Sequence, residues 1–562
     1  VFQLLPLRVI VILSILLLGF FILVPLGIFI LASFSGDPFR LGGFTLSHYI
    51  SFFTSGRYLN SLYNTIIISI ASAALSTLLG LFMAILIHKM DIPLKRYASA
   101  SIIIAYIIPP YMQAAAWITM ANPVNGILNI LTQNLFGIKP FNVFSYIGLI
   151  WVLTAFTMPL AYLMISSRLL SIDSTLEDQS LVSGAGLIRT FRRVLVPLLL
   201  PSLFTAWLYS FVISAENFII PYMIGVAAAE RIETLAVTLY IDAFAIYPPN
   251  YATASIASVI LLLISGIGSL IYYRILATER KYVTIVGRGF QTRAHILKRS
   301  YKLLLSISMI ILTSIIAIIP LIAPLLMSLY RVWTGSLAFP TLANYDRMFS
   351  DPYFWRSLIN ILIVSSLAAA ILAMFSFLIA YFSIRTKLKE KRILEFISTI
   401  PVAVPAIVAG FVILLAWYAY INLGIHGTLA ILVLAAIFRF IPFSVRTISG
   451  GILSVSSELE EASSVSGATL TQTLRKVVTP LVSRQMLISA ILTFTLVFRD
   501  AVTPLFIATG ATMVLPLYIF YLWVTGYMEY AAAMITFQML ILFIITIIVM
   551  RFMGLEAFIR GR

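Results

Sequence analysis

Five residues place charge or an amide where the surrounding sequence is otherwise apolar: Glu216-Asn217, Arg439 and Arg499-Asp500. An unpaired charge at mid-bilayer costs roughly 2.5–3.5 kcal/mol on insertion scales, so side chains of this kind pair with one another or face an aqueous route. Glu216 and Arg499 stand 283 positions apart, as do Asn217 and Asp500, and the first of these couples joins opposite charges. The expected pairing is Glu216 with Arg499, and Asp500 with Arg439 or Arg499. Two roles fit that pattern, a translocation pathway or an ion-pair network that locks two repeated units together. Other chemistry is poorly supplied. Cysteine is absent, so there is no thiolate ligand, disulfide or cysteine nucleophile. His48, His88, His295 and His426 lie far apart, and no Ser/His/Asp constellation is visible. No metal site and no catalytic residue is therefore assigned. A Gly-x-x-x-x-Gly-Lys-Ser/Thr loop is missing as well, so ATP hydrolysis is not expected in this chain.

The elements that must position these residues follow from composition. Of 562 residues 61% are hydrophobic and only 10% charged, against about 25% charged in a soluble globular protein. Predominantly apolar runs long enough to cross a bilayer predict twelve spans, at about 9–33, 62–87, 98–120, 143–167, 194–225, 252–273, 303–330, 357–384, 394–420, 427–449, 480–509 and 530–550. The first run is too long for a secretory signal peptide and lacks its small-residue cleavage site. The net charge of +17 is clustered between spans rather than spread along one face. It reads as membrane topology, with both termini cytoplasmic, and not as nucleic-acid binding. Only Arg40, Arg57, Lys139, Arg231, Arg331, Arg347 and Arg356 fall in outside loops.

The chain also repeats itself. Thr45-Leu46-Ser47-His48-Tyr49 matches Thr341-Leu342-Ala343-Asn344-Tyr345, and Asn64 matches Asn360, at an offset of 296; Ser183-Gly184-Ala185 matches Ser466-Gly467-Ala468, and Pro159, Pro197 and Pro221 match Pro442, Pro480 and Pro504, at 283. Six spans per copy give two parallel halves. The expected organisation is a first half at 1–280, a basic cytoplasmic linker at 281–300 and a second half at 301–562. Pro109-Pro110, Pro401 and Pro405 fall in the third spans, and Pro221 and Pro504 in the fifth, where freed carbonyls and kinks suit a gate.

Between the fourth and fifth spans each half carries a polar segment. The second reads Ser457-Glu458-Leu459-Glu460-Glu461-Ala462-Ser463, with Gly467, Val477 and Pro480 following; the first has Asp178-Gln179-Ser180, Gly184, Val194 and Pro197 at the same spacing. This duplicated loop resembles the coupling motif of permeases in binding-protein-dependent ABC importers of the type I fold. The resemblance implies an all-α membrane protein with twelve transmembrane helices in two parallel six-helix repeats. It further implies coupling helices at about 175–190 and 457–473 that dock on two copies of an ABC ATPase, through Glu177, Asp178, Gly184 and Ala185 and through Glu460, Glu461, Ala462, Gly467 and Ala468. ATP and magnesium would then reside on that ATPase, with no cofactor in this chain, and an extracytoplasmic substrate-binding protein would deliver the cargo. Arg280-Lys281-Tyr282-Val283-Thr284 leading to Gly287-Arg288-Gly289 resembles the fused permeases of the ferric-iron branch, whose relatives carry polyamines, thiamine, sulfate-like anions or phosphonates. A generic basic linker at anionic headgroups is the alternative for that stretch. For the whole chain the rival class is an ion-gradient-driven transporter, with Glu216 and Asp500 as proton carriers.

Overall fold

A computed structural model describes residues 4–40, 42–282, 299–335, 339–386, 388–422 and 424–553. Most of the predicted linker, including His295 and the stretch ending at Gly289, and the terminal Arg560 and Arg562 lie outside the described residues.

Among the described residues, ten helices are long and apolar enough to cross a membrane: Arg8–Ser33, Gly56–Lys89, Tyr146–Leu170, Leu187–Glu216 and Tyr251–Ile275 in the first half, and Arg299–Ser328, Pro352–Arg385, Leu429–Ser454, Leu470–Phe498 and Met528–Ile548 in the second. The two remaining predicted spans are sharply bent pairs, Lys95–Ile107 with Pro110–Ala121 at 111° and Lys391–Ala403 with Ala406–Ile421 at 110°. Counting each pair once restores twelve. The bends have a local cause. Proline lacks an amide proton and pushes its predecessor out of the helical region, and Ile108 and Val404, each followed by proline, are extended at ψ 125° and 111°. The third spans are thus broken at Pro109 and Pro405, repeat-equivalent positions, rather than kinked.

Expectation for the fifth spans is corrected in a second way. They begin earlier than predicted, at Leu187 and Leu470, and stop at Glu216 and Phe498. Asn217 is extended, and Pro221 and Pro504 start or sit in short turns beyond the span. They do not interrupt it. A small antiparallel ribbon, Ser35–Asp37 with Gly42–Phe44, is the exception to an otherwise helical chain among the described residues.

Within each half the second span lies along the fourth and the fifth. Close packing in a membrane relies on small residues, and Gly80 shows why: a Cβ there would sit 2.9 Å from the Tyr162 backbone nitrogen. The halves then exchange elements. Arg8–Ser33 packs on the second half's bent third span, and Arg299–Ser328 on that of the first half. Phe21 stacks on Trp417 at 5.5 Å and Phe29 meets Phe411 edge-on at 6.1 Å. At the predicted inner face two partly exposed ion pairs clasp this exchange, Arg8 with Glu390 and Lys302 with Asp91, the latter at 2.7 Å. The Lys302 hydrogen bond holds the Asp91 carboxyl below its ordinary value. Leu13, Leu16, Leu78, Leu270 and Met374, all more than half exposed, cover the outside as lipid-facing residues.

Candidate translocation cavity and coupling loops

The ends of the fifth spans and the breaks of the third spans meet in one cavity of about 210 Å³ between the halves. Its wall contains all five polar residues singled out in the sequence, Glu216, Asn217, Arg439, Arg499 and Asp500. Their placement explains why the helices stop there. Asp500 Oδ1 accepts from the backbone amides of Val502 and Thr503 at 3.0 and 3.2 Å. Asn217 Oδ1 accepts from Ile220 at 3.0 Å. The two repeat-equivalent side chains thus cap the turn after each fifth span in the same way, satisfying amides that a helix start leaves orphaned.

The arginines are spent differently. Arg439 donates to Asp500 Oδ2 at 2.6 Å and to Thr503 Oγ1 at 2.9 Å, so the expected Asp500–Arg439 pair is present. It lies inside the second half and does not join the halves. The expected Glu216–Arg499 pair is not formed. Arg499 instead donates from one guanidinium nitrogen to the carbonyls of Tyr106 and Ile107 at 3.0 and 3.1 Å. These are the last carbonyls of the helix that ends at the Pro109 break, where four acceptors lack intrahelical partners and attract a cation. Opposite charges at repeat-equivalent positions therefore do not meet; one is committed to the broken third span of the other half.

Several lining residues had no signal of their own. Tyr106 stands out only through its carbonyl. Phe156 occupies the position that Arg439 holds in the second half, and the 283 offset would have found it. Buried Tyr111 and Gln538 form a polar bridge between the halves, the glutamine also donating to the Phe498 carbonyl at 2.9 Å.

On the opposite end of the fifth spans, each predicted coupling helix is two short helices, Ser174–Val182 with Leu187–Thr190 and Glu458–Val465 with Leu470–Thr473. The turn between them needs glycine: Gly184 and Gly467 have φ of 85° and 81°, the left-handed region that a Cβ disfavours. Ala185 N–H donates to Ser180 C=O and Gly184 N–H to Leu181 C=O, and Ala468 to Ser463 and Gly467 to Ser464 likewise. This is the two-bond helix stop that a left-handed glycine completes. A hydroxyl bridge closes each pair, Ser180 to Thr190 and Ser463 to Thr473, both at 2.9 Å.

Val182 and Val465, repeat-equivalent, are 88% and 90% exposed at the tip. Around them Gly184, Glu461, Ala462 and Gly467 are exposed and Asp178, Ala185 and Ala468 half-buried. Glu177 does not join this surface. It is 3% exposed and paired with buried Lys89. Glu460 also turns inward, its Oε1 lying 2.8 Å from Arg385 Nε, a charge contact outside hydrogen-bond angles, while Tyr381 donates to Oε2 at 2.9 Å. Their expected place on a docking face is corrected: a glutamate in the first helical turn faces the membrane end of the second span, which carries the base.

Similarity to known proteins bears on what this arrangement serves. The family described as "Binding-protein-dependent transport system inner membrane component" matches residues 76–281 and 379–555, one segment in each half. The chain is 26% identical over 517 residues to the putative ferric transport system permease protein FbpB 1 of Haemophilus influenzae, covering 90% of this chain and 78% of that one. It is 26% identical over 511 residues to the ferric transport system permease protein FbpB of Actinobacillus pleuropneumoniae, covering 90% and 72%. The maltose/maltodextrin transport system permease protein MalF of Shigella flexneri is 25% identical over 233 residues, covering 39% and 45%.

Proposed function

The chain belongs to the family of binding-protein-dependent transport system inner membrane components, and from that membership we propose that it passes ferric iron, or a related small ion, through the cavity between its halves. It is a multi-pass membrane permease. In the proposed cycle an extracytoplasmic binding protein delivers the ion, and two copies of a separate ATPase, which hold ATP and magnesium, drive alternating access through the loops around Gly184 and Gly467.

The observation that carries the cargo is extent of similarity. Relatives named for ferric transport align over 90% of the chain, whereas the maltose permease aligns over 39%. Polyamine, thiamine, phosphonate or sugar import would use the same architecture. Family membership speaks against the ion-gradient alternative. The cavity chemistry suits passage rather than storage. Its two carboxylates stand among two guanidiniums, and Asp500 is already engaged by Arg439. Conduction requires binding weak enough to release the ion, and such a balanced wall does not build a tight oxygen cage.

The test is reconstitution. Purified from its own membrane, the chain should bring an ATPase in two copies, and proteoliposomes containing this complex should take up radiolabelled ferric iron only with ATP and the binding protein. Uptake that persists without ATP, or a chain that purifies without an ATPase, overturns the reading.

A further inference from the structure

Each half ties its coupling loop to the inner end of its own second span through opposite charges at repeat-equivalent positions. Lys89 and Arg385 are the last residues of helices Gly56–Lys89 and Pro352–Arg385, 296 apart. Glu177 and Glu460 lie in the first turns of Ser174–Val182 and Glu458–Val465, 283 apart. The basic residue thus sits at a helix C-terminus and the acidic one at a helix N-terminus, as the two dipoles favour.

Exposed ion pairs are worth little. These are withdrawn from water: Lys89 is 1% and Glu177 3% exposed, and the side chains of Arg385 and Glu460 are 17% and 14% exposed. Burial makes the loss of one partner costly, so the geometry is held. The loop has closures of its own besides these pairs, the glycine turn and the hydroxyl bridge. What the pairs join is two different bodies. Arg385 adds the carbonyls of Ile452 and Val455 at the end of the fourth span, making a three-way joint. The second span in turn packs along the fifth, whose far end carries Glu216 or borders Arg499 in the cavity wall.

We propose that Lys89–Glu177 and Arg385–Glu460 are positioning residues for energy coupling, making each coupling loop move as one body with its second span. A displacement imposed at the exposed valines is then delivered to the cavity through packed helices and a discrete charged joint. This inference rests on the proposed ATPase partnership.

The test uses the full chain assembled with its ATPase and binding protein in proteoliposomes, reading ATPase retention and radiolabelled ferric iron taken up per ATP hydrolysed. Glu177→Gln and Glu460→Gln should retain the ATPase while uptake per ATP falls roughly tenfold. Lys89→Arg, which adopts the second half's own cation, should keep the wild-type ratio, and Lys89→Glu with Glu177→Lys should recover part of it. If Glu177→Gln does not accumulate in the membrane, the arginine variant and the swap are read in its place. An unchanged ratio in both glutamine variants overturns the inference, as does a swap that accumulates with no recovery. Loss of the ATPase from the variants also overturns it, because the glutamates would then serve docking. A wild-type chain that holds no ATPase fails separately, at the proposed function.

Discussion

The two halves close their coupling loops with the same backbone and fasten them with different side chains. In both, a left-handed glycine, a two-bond helix stop and a hydroxyl bridge recur at equivalent positions. The fastening differs: Lys89 and Glu177 are sealed from solvent, while Glu460 shares Arg385 with two backbone carbonyls and has Tyr381 as its second partner. The first loop has Asp178-Gln179-Ser180 where the second has Glu461-Ala462-Ser463, yet its turn is no less complete. Backbone geometry survives sequence drift where a glycine and one hydroxyl pair enforce it, and the charged joint is free to take different forms. At the cavity the halves diverge more. Asn217 and Asp500 cap equivalent turns, but Arg499 donates to carbonyls of the other half's broken third span, a contact its equivalent Glu216 does not make.

The largest expected effect breaks the comparison between the joints. Glu177→Ala leaves Lys89 buried without its carboxylate and should cost about 3–5 kcal/mol of stability. Glu460→Ala should cost about 1.5–3 kcal/mol, since Arg385 keeps its carbonyl partners. Thermal unfolding of the two purified variants measures the difference, and equal losses would mean that burial does not distinguish them. Next in size is the cavity. Glu216→Arg combined with Arg499→Glu should not restore transport, because a glutamate cannot donate to the Tyr106 and Ile107 carbonyls, whose loss of a cap costs about 1–3 kcal/mol. Recovery of iron uptake in that double variant would show that the two charges act as a pair after all.

Gly184→Ala and Gly467→Ala probe the shared turn. No atom lies within 4 Å of either added Cβ, so only the backbone penalty applies, about 1–2 kcal/mol and equal in the two halves. Unequal shifts in unfolding temperature would mean that the turns differ beyond their φ. Smallest is the hydroxyl bridge: Ser180→Ala and Ser463→Ala each give up one hydrogen bond, about 0.5–1.5 kcal/mol. Both variants should still transport iron, which uptake assays check.

Much of the fold was legible from local pattern. Long apolar runs located the spans, and the offsets 283 and 296 located the repeat, because each copy must satisfy the same bilayer. The bends at Pro109 and Pro405 were half legible: proline announced a disturbance but not its angle, which depends on where Pro110–Ala121 and Ala406–Ile421 find their packing partners. Glu177 and Glu460 were misplaced because an acidic first turn looks alike whether it faces a partner or the protein. The signal that would have corrected them was present, since the offset that maps Asn64 onto Asn360 also maps Lys89 onto Arg385.

By itself, then, the sequence determined a membrane protein of two parallel halves, its duplicated loops and the five polar residues that had to be accounted for. Those follow from solvation, which acts residue by residue and span by span. Tertiary structure alone decided the partners: Arg439 with Asp500, Arg499 with the open end of a broken helix, and the glutamates with the second spans. A buried charge takes whichever donor or acceptor the packing leaves unsatisfied within about 3 Å, and only the packing of the two halves brings the Tyr106 and Ile107 carbonyls to Arg499.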